Sequence, residues 1–227
     1  MLLSVIIPVY NEVSTVQEVV ERVQQTPYEK EIILIDDGST DGTRERIRQI
    51  VGQNIQKHFH EKNKGKGAAI QTGWSHAKGD IIVIQDEDLE YDPADYQHLF
   101  VPVLSGKADV VFGSRFLGGG PHRVLFFWHS LGNQFLTLLA NMLNDLNMTD
   151  METGYKVFTR EVLQSVRIRS NRFGFEPEFT AKVARKQFRI YEVPISYHGR
   201  GYKEGKKITW RDGVAALFWI FRYRFFD

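Results

Sequence analysis

Short runs of β-branched and other apolar residues alternate with amphipathic segments along the first half of the chain, and this alternation restricts the fold most. The apolar runs cover residues 3–9, 31–36, 81–85 and 109–113. Apolar residues also recur at helical spacing between the first two runs, at Val16, Val19, Val20 and Val23. Strands that are buried on both faces of a parallel sheet read as continuous apolar runs, and helices connect them. The sequence therefore predicts an α/β fold with a Rossmann-like, mostly parallel central sheet flanked by helices.

The second half of the chain predicts longer helices around the same sheet. We expect helices over residues 124–144, 176–185 and 210–226, a strand over 190–196, and an earlier helix from Pro93 to about Leu104. The first of these helices carries one apolar stripe, formed by Leu131, Phe135, Leu138, Leu139 and Met142. Because neither an internal repeat nor a linker interrupts the pattern, a single domain is predicted over residues 1–227.

The composition excludes several functional classes. Of 227 residues, 42% are hydrophobic and 25% are charged, which is typical of a globular protein. The formal net charge is +1, so no bulk attraction to nucleic acid is expected. Cysteine is absent, which removes disulfides and thiolate metal sites. We expect a cytoplasmic protein, because no leader pattern stands at the N-terminus and the longest apolar run, residues 214–221, is shorter than the roughly 20 residues of a membrane span.

Polar residues follow the predicted strands at the points where ligands bind in parallel α/β sheets. The sharpest such feature is Asp86-Glu87-Asp88, directly after the strand over residues 81–85, with Glu90 two positions further on. Adjacent carboxylates repel one another unless a cation neutralises them, and Mg²⁺ and Mn²⁺ favour carboxylate oxygens together with substrate phosphates. The motif predicts a divalent metal site. An acidic helix N-terminus is the competing interpretation.

The absence of two common nucleotide-binding motifs limits the classes of ligand that the chain is expected to bind. The first strand is followed by Tyr10-Asn11-Glu12 rather than by the Gly-x-Gly-x-x-Gly of dinucleotide-binding folds, and the chain contains no P-loop motif. The second strand ends at Asp37, which can accept hydrogen bonds from a base or a ribose, while Tyr10 can stack on the base. A metal ion at Asp88 would then hold a diphosphate. These residues predict a site for a nucleoside diphosphate.

Four motifs occur together in the order typical of one enzyme family. They cover residues 5–12, 35–43, 63–67 and 85–88. In these motifs the chain resembles the family-2 glycosyltransferases. The resemblance implies a glycosyltransferase A fold, a nucleotide-sugar donor, Mg²⁺ or Mn²⁺ as cofactor, and inversion at the anomeric carbon. One departure is Glu87, which stands in the middle of the D-x-D motif where the family often has a small residue.

Segments of the second half resemble a narrower branch of that family. Residues 86–90, 112–115, 150–158 and 193–197 are similar to the dolichyl-phosphate mannosyltransferase branch. The resemblance implies transfer of a hexose from GDP-mannose, UDP-glucose or another UDP-sugar to a polyprenyl phosphate such as dolichyl or undecaprenyl phosphate. It also implies that residues 1–115 form a nucleotide-sugar-binding half, and residues 116–227 an acceptor-binding half that ends in an amphipathic helix.

The resemblance and the charges of the loops assign roles to individual residues. The donor is expected to contact Pro8, Tyr10, Asn11, Glu12, Ile35, Asp37, Lys64, Gly67, Asp86, Glu87 and Asp88, and the metal ion Asp86, Asp88 and Glu90. The acceptor phosphate is expected at Ser114, Arg115 and Arg123, with Arg200 and Lys206 closing over both phosphates. Asp86, Asp88 and Arg115 are the predicted catalytic residues. Because a lipid phosphate oxygen is already anionic, the reaction needs no general base.

Two other functions stay open on the sequence. A family-2 enzyme with a hydroxyl acceptor on a glycan or small molecule would need a base, for which Asp150 and Glu152 are candidates. An inactive scaffold that binds nucleotide sugars is suggested by Glu87 and by the lack of a membrane anchor. The last predicted helix interleaves aromatic residues with Arg222 and Arg224, a pattern of interfacial helices, so peripheral contact with the cytoplasmic membrane face is expected.

Overall fold

A computed structural model describes residues 1–118, 123–124, 126–201 and 210–226. Its strands are β1 (Leu3–Val9), β2 (Lys30–Asp36), β3 (Ile55–Phe59), β4 (Ile81–Ile84), β5 (Val110–Ser114), β6 (Lys156–Thr159) and β7 (Ile190–Pro194). Within the described residues they form one seven-stranded sheet in the order β3-β2-β1-β4-β6-β5-β7. Only β6 runs antiparallel to its neighbours in this part of the chain. The predicted α/β fold with a mostly parallel sheet is confirmed.

Helices connect the strands and cover both faces of the sheet. They are α1 (Val16–Gln25), α2 (Thr43–Gln49), α3 (Lys66–His76), α4 (Tyr96–Leu99), α5 (Val101–Leu104), α6 (Phe127–Asn144), α7 (Arg160–Ser165), α8 (Phe175–Arg185) and α9 (Trp210–Phe225). The prediction of one helix from Pro93 to Leu104 is wrong, because a 3₁₀ turn (Pro93–Asp95) precedes the two short helices α4 and α5. Pro102 has no N–H to donate to the carbonyl of His98, which accounts for the break between α4 and α5.

Burial on both faces explains why the strands read as continuous apolar runs. In β1, Val5 and Ile7 pack in the core cluster on the side of α1 and α2. Ile6, between them, packs on the opposite face in the cluster shared with α3, α6, α8 and α9. All three side chains are fully buried. The sheet is therefore packed on both faces, and the loops at the carboxyl ends of its strands start from this core.

The antiparallel strand β6 changes which loops meet at that edge. It lies between β4 and β5, with Lys156 paired opposite Ile84. Because β6 runs in the opposite direction, the residues that precede it lie beside the residues that follow β4 and β5. The segment before Lys156 is thus added to the edge where ligands bind in such sheets.

The apolar stripe predicted in α6 faces outward. Four of its side chains are exposed, with exposed fractions of 46% for Leu131, 55% for Phe135, 65% for Leu138 and 71% for Met142. The buried side of α6 consists of Leu136, Thr137 and Ala140. Helix α9 has the same arrangement, because Ala216 and Ile220 are buried and Val214, Phe218, Phe221 and Phe225 are exposed.

These eight exposed residues of α6 and α9 are called the outer apolar face below. The two helices pack against each other, and their buried sides belong to one core cluster. Their exposed sides therefore point away from the same core. Among the described helices, none has the length and the hydropathy that crossing a bilayer requires.

Candidate active site

The candidate active site lies along the edge of the sheet where β1, β2, β4 and β5 end and β6 begins. Glu12 follows β1, Asp37 follows β2, residues 86–90 follow β4, and Arg115 follows β5. Chain segments that are distant in sequence meet here, as in the contact between Glu12 and Arg200, which are 188 positions apart. The structure thus brings most of the predicted site residues to one edge.

Arg200 lies between three carboxylates at this edge. Its guanidinium donates to the two oxygens of Glu12 at 3.0 and 3.2 Å and to Asp88 Oδ2 at 3.1 Å. Its backbone N–H donates to Glu90 Oε1 at 2.9 Å. Such charge-assisted hydrogen bonds are stronger than neutral ones. The sequence predicts that Arg200 binds phosphate, whereas here it neutralises the acidic side of the site.

Asp88 marks a local deficit of positive charge. Burial raises the pKa of Asp88 to about 7, and the neighbouring Asp86 and Glu90 add to the increase while Arg200 opposes it. A hard divalent cation would relieve this repulsion, and Mg²⁺ and Mn²⁺ prefer carboxylate ligands. The residues therefore fit the predicted ion by their chemistry. In this structure, no three acidic or histidine side chains of the described residues lie together as a metal-binding group.

Lys66 is a site residue that the sequence analysis did not single out. Its ammonium lies 2.9 Å from Asp86 Oδ1 and 3.4 Å from Glu176 Oε1. Burial by itself would lower the pKa of Lys66, but the two carboxylates raise it well above its usual value. Lys66 therefore stays charged beside residues 86–90, which are called the acidic loop below. The sequence feature that could have indicated Lys66 is its position between two glycines at the start of a predicted helix.

Asp37 holds the loop that follows β3. Its Oδ1 accepts from the backbone N–H of Lys64 at 2.9 Å and lies 2.7 Å from His60 Nδ1. Its Oδ2 accepts from the backbone N–H of Gly65 at 2.7 Å. Both oxygens are thus engaged within the chain, where the sequence predicts hydrogen bonds to a base or ribose. The Lys64 side chain lines a separate cavity near α9.

Five of the predicted donor-binding residues are buried in this structure, and three of them, Pro8, Ile35 and Gly67, have no polar side chain. Pro8 and Ile35 are partners across β1 and β2, and Ile35 lies in the core cluster, so its side chain packs within the protein. Gly67 lies so close to the carbonyl of Ser170 that a Cβ at position 67 has no room. Any contact that these three residues make with a donor therefore involves the backbone.

Asn11 connects the loops that follow β1 and β2. It has a left-handed backbone conformation, with φ of 52°. Its N–H donates to Ser39 Oγ at 3.0 Å, and its Oδ1 accepts from the N–H of Thr40 at 2.9 Å. Tyr10 and Glu87 are partly exposed at the edge of the site. Asn11 therefore shapes the site, while Tyr10 and Glu87 remain accessible from solvent.

Arg115 is fixed by a bidentate ion pair with Asp150. Nε donates to Oδ2 at 2.7 Å and Nη2 donates to Oδ1 at 2.8 Å. The guanidinium carbon lies 5.3 Å from the centroid of the Tyr197 ring. The Tyr197 hydroxyl in turn donates to Glu90 Oε2 at 2.9 Å. Tyr197 thus joins the cation predicted for the acceptor phosphate to the carboxylates predicted for the metal.

The other predicted phosphate-binding residues have different surroundings. The Ser114 hydroxyl accepts from two backbone N–H groups of the following turn, at 3.1 and 3.0 Å, and pairs with Thr149 Oγ1 at 2.6 Å. Ser114 therefore shapes the turn after β5. Arg123 Nη1 donates to the carbonyl of Gly199 at 2.9 Å and reaches the loop that carries Arg200. Lys206 lies outside the described residues.

A half-buried acid, Glu152, and a buried amine, Lys156, lie where β6 begins. Burial raises the pKa of Glu152 to about 8, and Glu176 adds to this increase. Glu152 Oε1 has no hydrogen-bond partner among the described residues. Burial lowers the pKa of Lys156 to about 8, and its ammonium donates to the carbonyl of Thr153. The sequence predicts a role for Glu152 only as a base and assigns no role to Lys156, because its pattern does not reveal β6.

A family model described as "Glycosyl transferase family 2" matches residues 4–167 of the chain. The chain belongs to this family. This family-2 glycosyltransferase is 30% identical over 215 residues to the undecaprenyl-phosphate mannosyltransferase of Micrococcus luteus, with 88% of the chain and 85% of the relative covered. It is 28% identical over 213 residues to the dolichol-phosphate mannosyltransferase of Pyrococcus furiosus, with 91% and 59% covered.

The lengths of the relatives differ widely. Glycosyltransferase AglD of Haloferax volcanii is 28% identical over 210 residues, which cover 87% of this family-2 glycosyltransferase but 33% of the relative. The chain thus spans from a third to most of the length of these relatives. The resemblance to family-2 glycosyltransferases that the sequence motifs indicate is confirmed.

Solved structures of one enzyme share the fold. Glucosyl-3-phosphoglycerate synthase from Mycobacterium tuberculosis, in complex with Mn²⁺, UDP and phosphoglyceric acid, superposes with a TM-score of 0.76 at 20% identity, covering 99% of this chain and 79% of that chain. The same enzyme with Mg²⁺ and UDP gives a TM-score of 0.71 at 21% identity, with 95% and 78% covered. The predicted glycosyltransferase A fold is confirmed by this likeness.

Proposed function

We propose that this chain is an inverting glycosyltransferase that moves a hexose from GDP-mannose or a UDP-sugar to a polyprenyl phosphate. The observation that carries the proposal is the link through Tyr197, which joins a fixed Arg115 to Glu90 of the acidic loop. A cation for an anionic acceptor thus stands next to carboxylates that suit a metal-bound diphosphate. The named activities of the relatives in Micrococcus luteus and Pyrococcus furiosus support the same reaction class.

The reaction is a direct displacement. An oxygen of the acceptor phosphate forms a bond to the anomeric carbon while the bond from that carbon to the diphosphate oxygen breaks, and the electron pair leaves with the diphosphate. Both reactants are anionic, so the site must offset their repulsion. Arg115 orients the acceptor phosphate, and Lys66 and Arg200 offset charge on the side of the diphosphate. No proton has to be removed from the acceptor.

The acidic loop supplies the metal-binding side of the proposal. Asp88 and Glu90, with Asp86, would hold a Mg²⁺ or Mn²⁺ ion, which when bound supplies positive charge to the leaving diphosphate. Arg200 donates to Asp88 in this structure. Release of its guanidinium from that carboxylate would make Arg200 available to a phosphate, which is the role that the sequence predicts.

Peripheral membrane association is the second part of the proposal. The outer apolar face lies on two neighbouring helices, and Arg222 and Arg224 of α9 are exposed beside it. Amphipathic helices of this kind lie in the membrane interface, with apolar side chains among the lipids and cations at the headgroups. A polyprenyl phosphate resides in that layer. The outer apolar face would therefore bring the enzyme to its acceptor.

The test of the reaction uses the purified chain with Mn²⁺ or Mg²⁺ and a short polyprenyl phosphate. GDP-mannose and UDP-sugars are offered in parallel, and lipid-linked sugar is detected by mass spectrometry. Asp88→Asn is expected to lower the rate by about 100-fold or more. The substitution removes a negative charge that would bind the metal ion, and the ion stabilises the leaving diphosphate. Asp145→Asn is the matched control, since Asp145 is exposed and has a left-handed φ of 54°, which asparagine tolerates.

Other results of this assay would indicate a different site or a different function. Full activity of Asp88→Asn would refute the proposed site. Donor binding without lipid product would favour a hydroxyl acceptor. In that case Glu152→Gln should abolish transfer, because both oxygens of Asp150 are already engaged with Arg115. Donor binding without transfer to either a lipid or a hydroxyl acceptor would favour the inactive scaffold.

A further inference from the structure

A second basic site lies outside the candidate active site. It is a cavity of about 740 Å³ between the loop that follows β3, the loop that precedes α8, and helix α9. Five of its lining side chains are cationic, namely Lys62, Lys64, Arg169, Arg172 and Arg222. Within the described part of the chain, no carboxylate lines it. Because the whole chain carries a formal net charge of only +1, this is a strong local concentration of positive charge.

The walls of this basic cavity are fixed by buried polar contacts. The hydroxyls of Ser170 and Tyr223, both buried, form a hydrogen bond between the loop before α8 and helix α9. The Gln71 side chain of α3 donates to the carbonyl of Ser170 at 2.8 Å. The Arg222 guanidinium lies 6.0 Å from the centroid of the Trp219 ring. The cavity therefore keeps its shape without a ligand.

The charge of the basic cavity suits an anionic ligand. Like charges held close together repel one another, and an anion in the cavity would relieve that repulsion. The position of the cavity narrows the choice. Trp219 and Arg222 line it, while Phe218 and Phe221, on the same turns of α9, belong to the outer apolar face. A ligand at this boundary meets cations on one side and an apolar surface on the other, which is the environment of a lipid headgroup.

We propose that the basic cavity binds the anionic headgroup of a membrane phospholipid, separately from the acceptor phosphate at the active site. This inference rests on the proposed membrane association. The headgroup enters between α9 and the loop that carries Lys62, and the acyl chains lie along the outer apolar face. Bound in this way, the phospholipid fixes the orientation of the enzyme on the membrane in addition to its affinity.

The test compares two double variants of the full chain on two kinds of vesicle. Arg172→Gln with Arg222→Gln removes two charges from the basic cavity. Lys78→Gln with Lys107→Gln removes two exposed charges from loops that precede β4 and β5, at the opposite edge of the sheet. Co-sedimentation is measured with vesicles of phosphatidylcholine alone and of phosphatidylcholine mixed with phosphatidylglycerol.

The cavity variant is expected to bind the mixed vesicles roughly tenfold or more weakly than the wild type, because each basic residue near an anionic surface strengthens binding severalfold. Binding to phosphatidylcholine alone should be the same for all forms, and the control pair should behave as the wild type. Equal losses in both double variants would overturn the proposal in favour of diffuse attraction. Equal binding of the wild type to both kinds of vesicle would overturn it as well.

Two soluble anions test for other occupants. Inorganic phosphate and an RNA oligomer are titrated against the wild type and the cavity variant, with chloride at equal ionic strength as reference. If phosphate or RNA binding depends on the cavity arginines and vesicle binding does not, the cavity serves a soluble anion or a nucleic acid, and the proposal fails. If only vesicle binding depends on them, the lipid headgroup is supported.

Transfer activity separates this proposal from the proposed function. The cavity variant should transfer sugar to a short, water-soluble polyprenyl phosphate at the wild-type rate, because Arg172 and Arg222 lie outside the candidate active site. If no form of the chain transfers sugar, the proposed function fails while the vesicle comparison still decides the role of the cavity. Thermal unfolding of each variant confirms that the fold is retained.

Discussion

At the scale of single residues, the site is organised by three cations, each of which serves a different set of carboxylates. Lys66 contacts Asp86, and Arg115 contacts Asp150. Arg200 contacts the largest set, formed by Glu12, Asp88 and Glu90. Buried carboxylates without a cationic partner are costly, so these pairs keep the acidic loop folded. Arg200 is the cation that holds the most negative charge in place.

Replacing Arg200 should expose this dependence. In the absence of divalent ions, Arg200→Gln is expected to lower the free energy of unfolding by about 2 kcal/mol, because three carboxylates lose their cation. Added Mn²⁺ should reduce the deficit, since the ion neutralises the same carboxylates. Arg189→Gln is the control. It breaks an ion pair between Arg189 and Asp109 at the protein surface, where solvent screens the charges. A deficit that Mn²⁺ leaves unchanged would contradict the metal assignment.

Glu152 should make stability depend on pH. Its pKa is raised from the ordinary glutamate value to about 8 by burial, so the folded state binds a proton that the unfolded state has released. Its contribution is present at low pH and is lost as the pH rises toward 8. Between about pH 5 and 7.5, the wild type should lose on the order of 1 kcal/mol or more of unfolding free energy relative to Glu152→Gln. Denaturant unfolding at the two pH values measures this difference, and parallel pH profiles would contradict it.

At the scale of elements, close approach between helix and sheet distinguishes α3 from α6. Helix α3 packs on β1 and β2 at Gly73, where a Cβ would lie inside the contact distance of Ile6 and Ile35. Helix α6 contains Gly132, where an added Cβ would meet no atom of the described residues within 4 Å outside its own helix. The first glycine is thus required by packing. The second is on an open surface, where alanine is the better helix former.

The same substitution should therefore have opposite effects in the two helices. Gly73→Ala is expected to lower the free energy of unfolding by about 1–2 kcal/mol, because overpacking outweighs the gain in helix propensity. Gly132→Ala is expected to raise it by up to about 1 kcal/mol. Urea unfolding of both variants tests the pair. A Gly73→Ala variant as stable as the wild type would show that α3 can shift away from the sheet.

At the scale of the whole molecule, three surfaces follow one another, namely the candidate active site, the basic cavity and the outer apolar face. The candidate active site occupies the carboxyl edge of the sheet. Lys62 and Lys64, in the loop before α3, line the basic cavity, and Lys66, the first residue of α3, contacts Asp86 of the active site. The cavity borders α9, and the outer apolar face continues from α9 to α6. Contiguous exposed apolar residues on a protein surface can mark interaction sites. The basic cavity and the outer apolar face meet at α9.

Salt should separate the two contributions to membrane binding. Raising the ionic strength from about 0.1 M to about 1 M shortens the screening length from about 10 Å to about 3 Å. Binding to anionic vesicles is then expected to fall to the level seen on neutral vesicles, where the outer apolar face alone acts. Phe218→Ser with Phe221→Ser should lower that remainder, because both side chains are exposed on α9. Binding of this variant at high salt that equals binding of the wild type would contradict the role of the outer apolar face.

The sequence predicted the elements that depend on local pattern. The apolar runs of β1, β2, β4 and β5 lie in the sheet within a residue or two of the predicted positions, and the acidic loop follows β4. The sequence motifs also indicated the glycosyltransferase family, which the family model confirms. The strands could be predicted because burial on both faces requires an unbroken apolar run. The site residues could be predicted because they lie in the turns that follow such strands. The roles assigned to those residues and the division of the chain at residue 115 stay predictions.

Tertiary structure alone decided the contacts that have no local signature. The antiparallel insertion of β6 brought Glu152 and Lys156 to the site, and the burial of one face of α6 turned its apolar stripe outward. Arg200 found its carboxylate partners more than a hundred positions away. Periodicity in a sequence shows that a helix has an apolar side, but the direction of that side depends on which elements pack around it. Likewise, an ion pair depends on distance in space, which a sequence of residues does not contain.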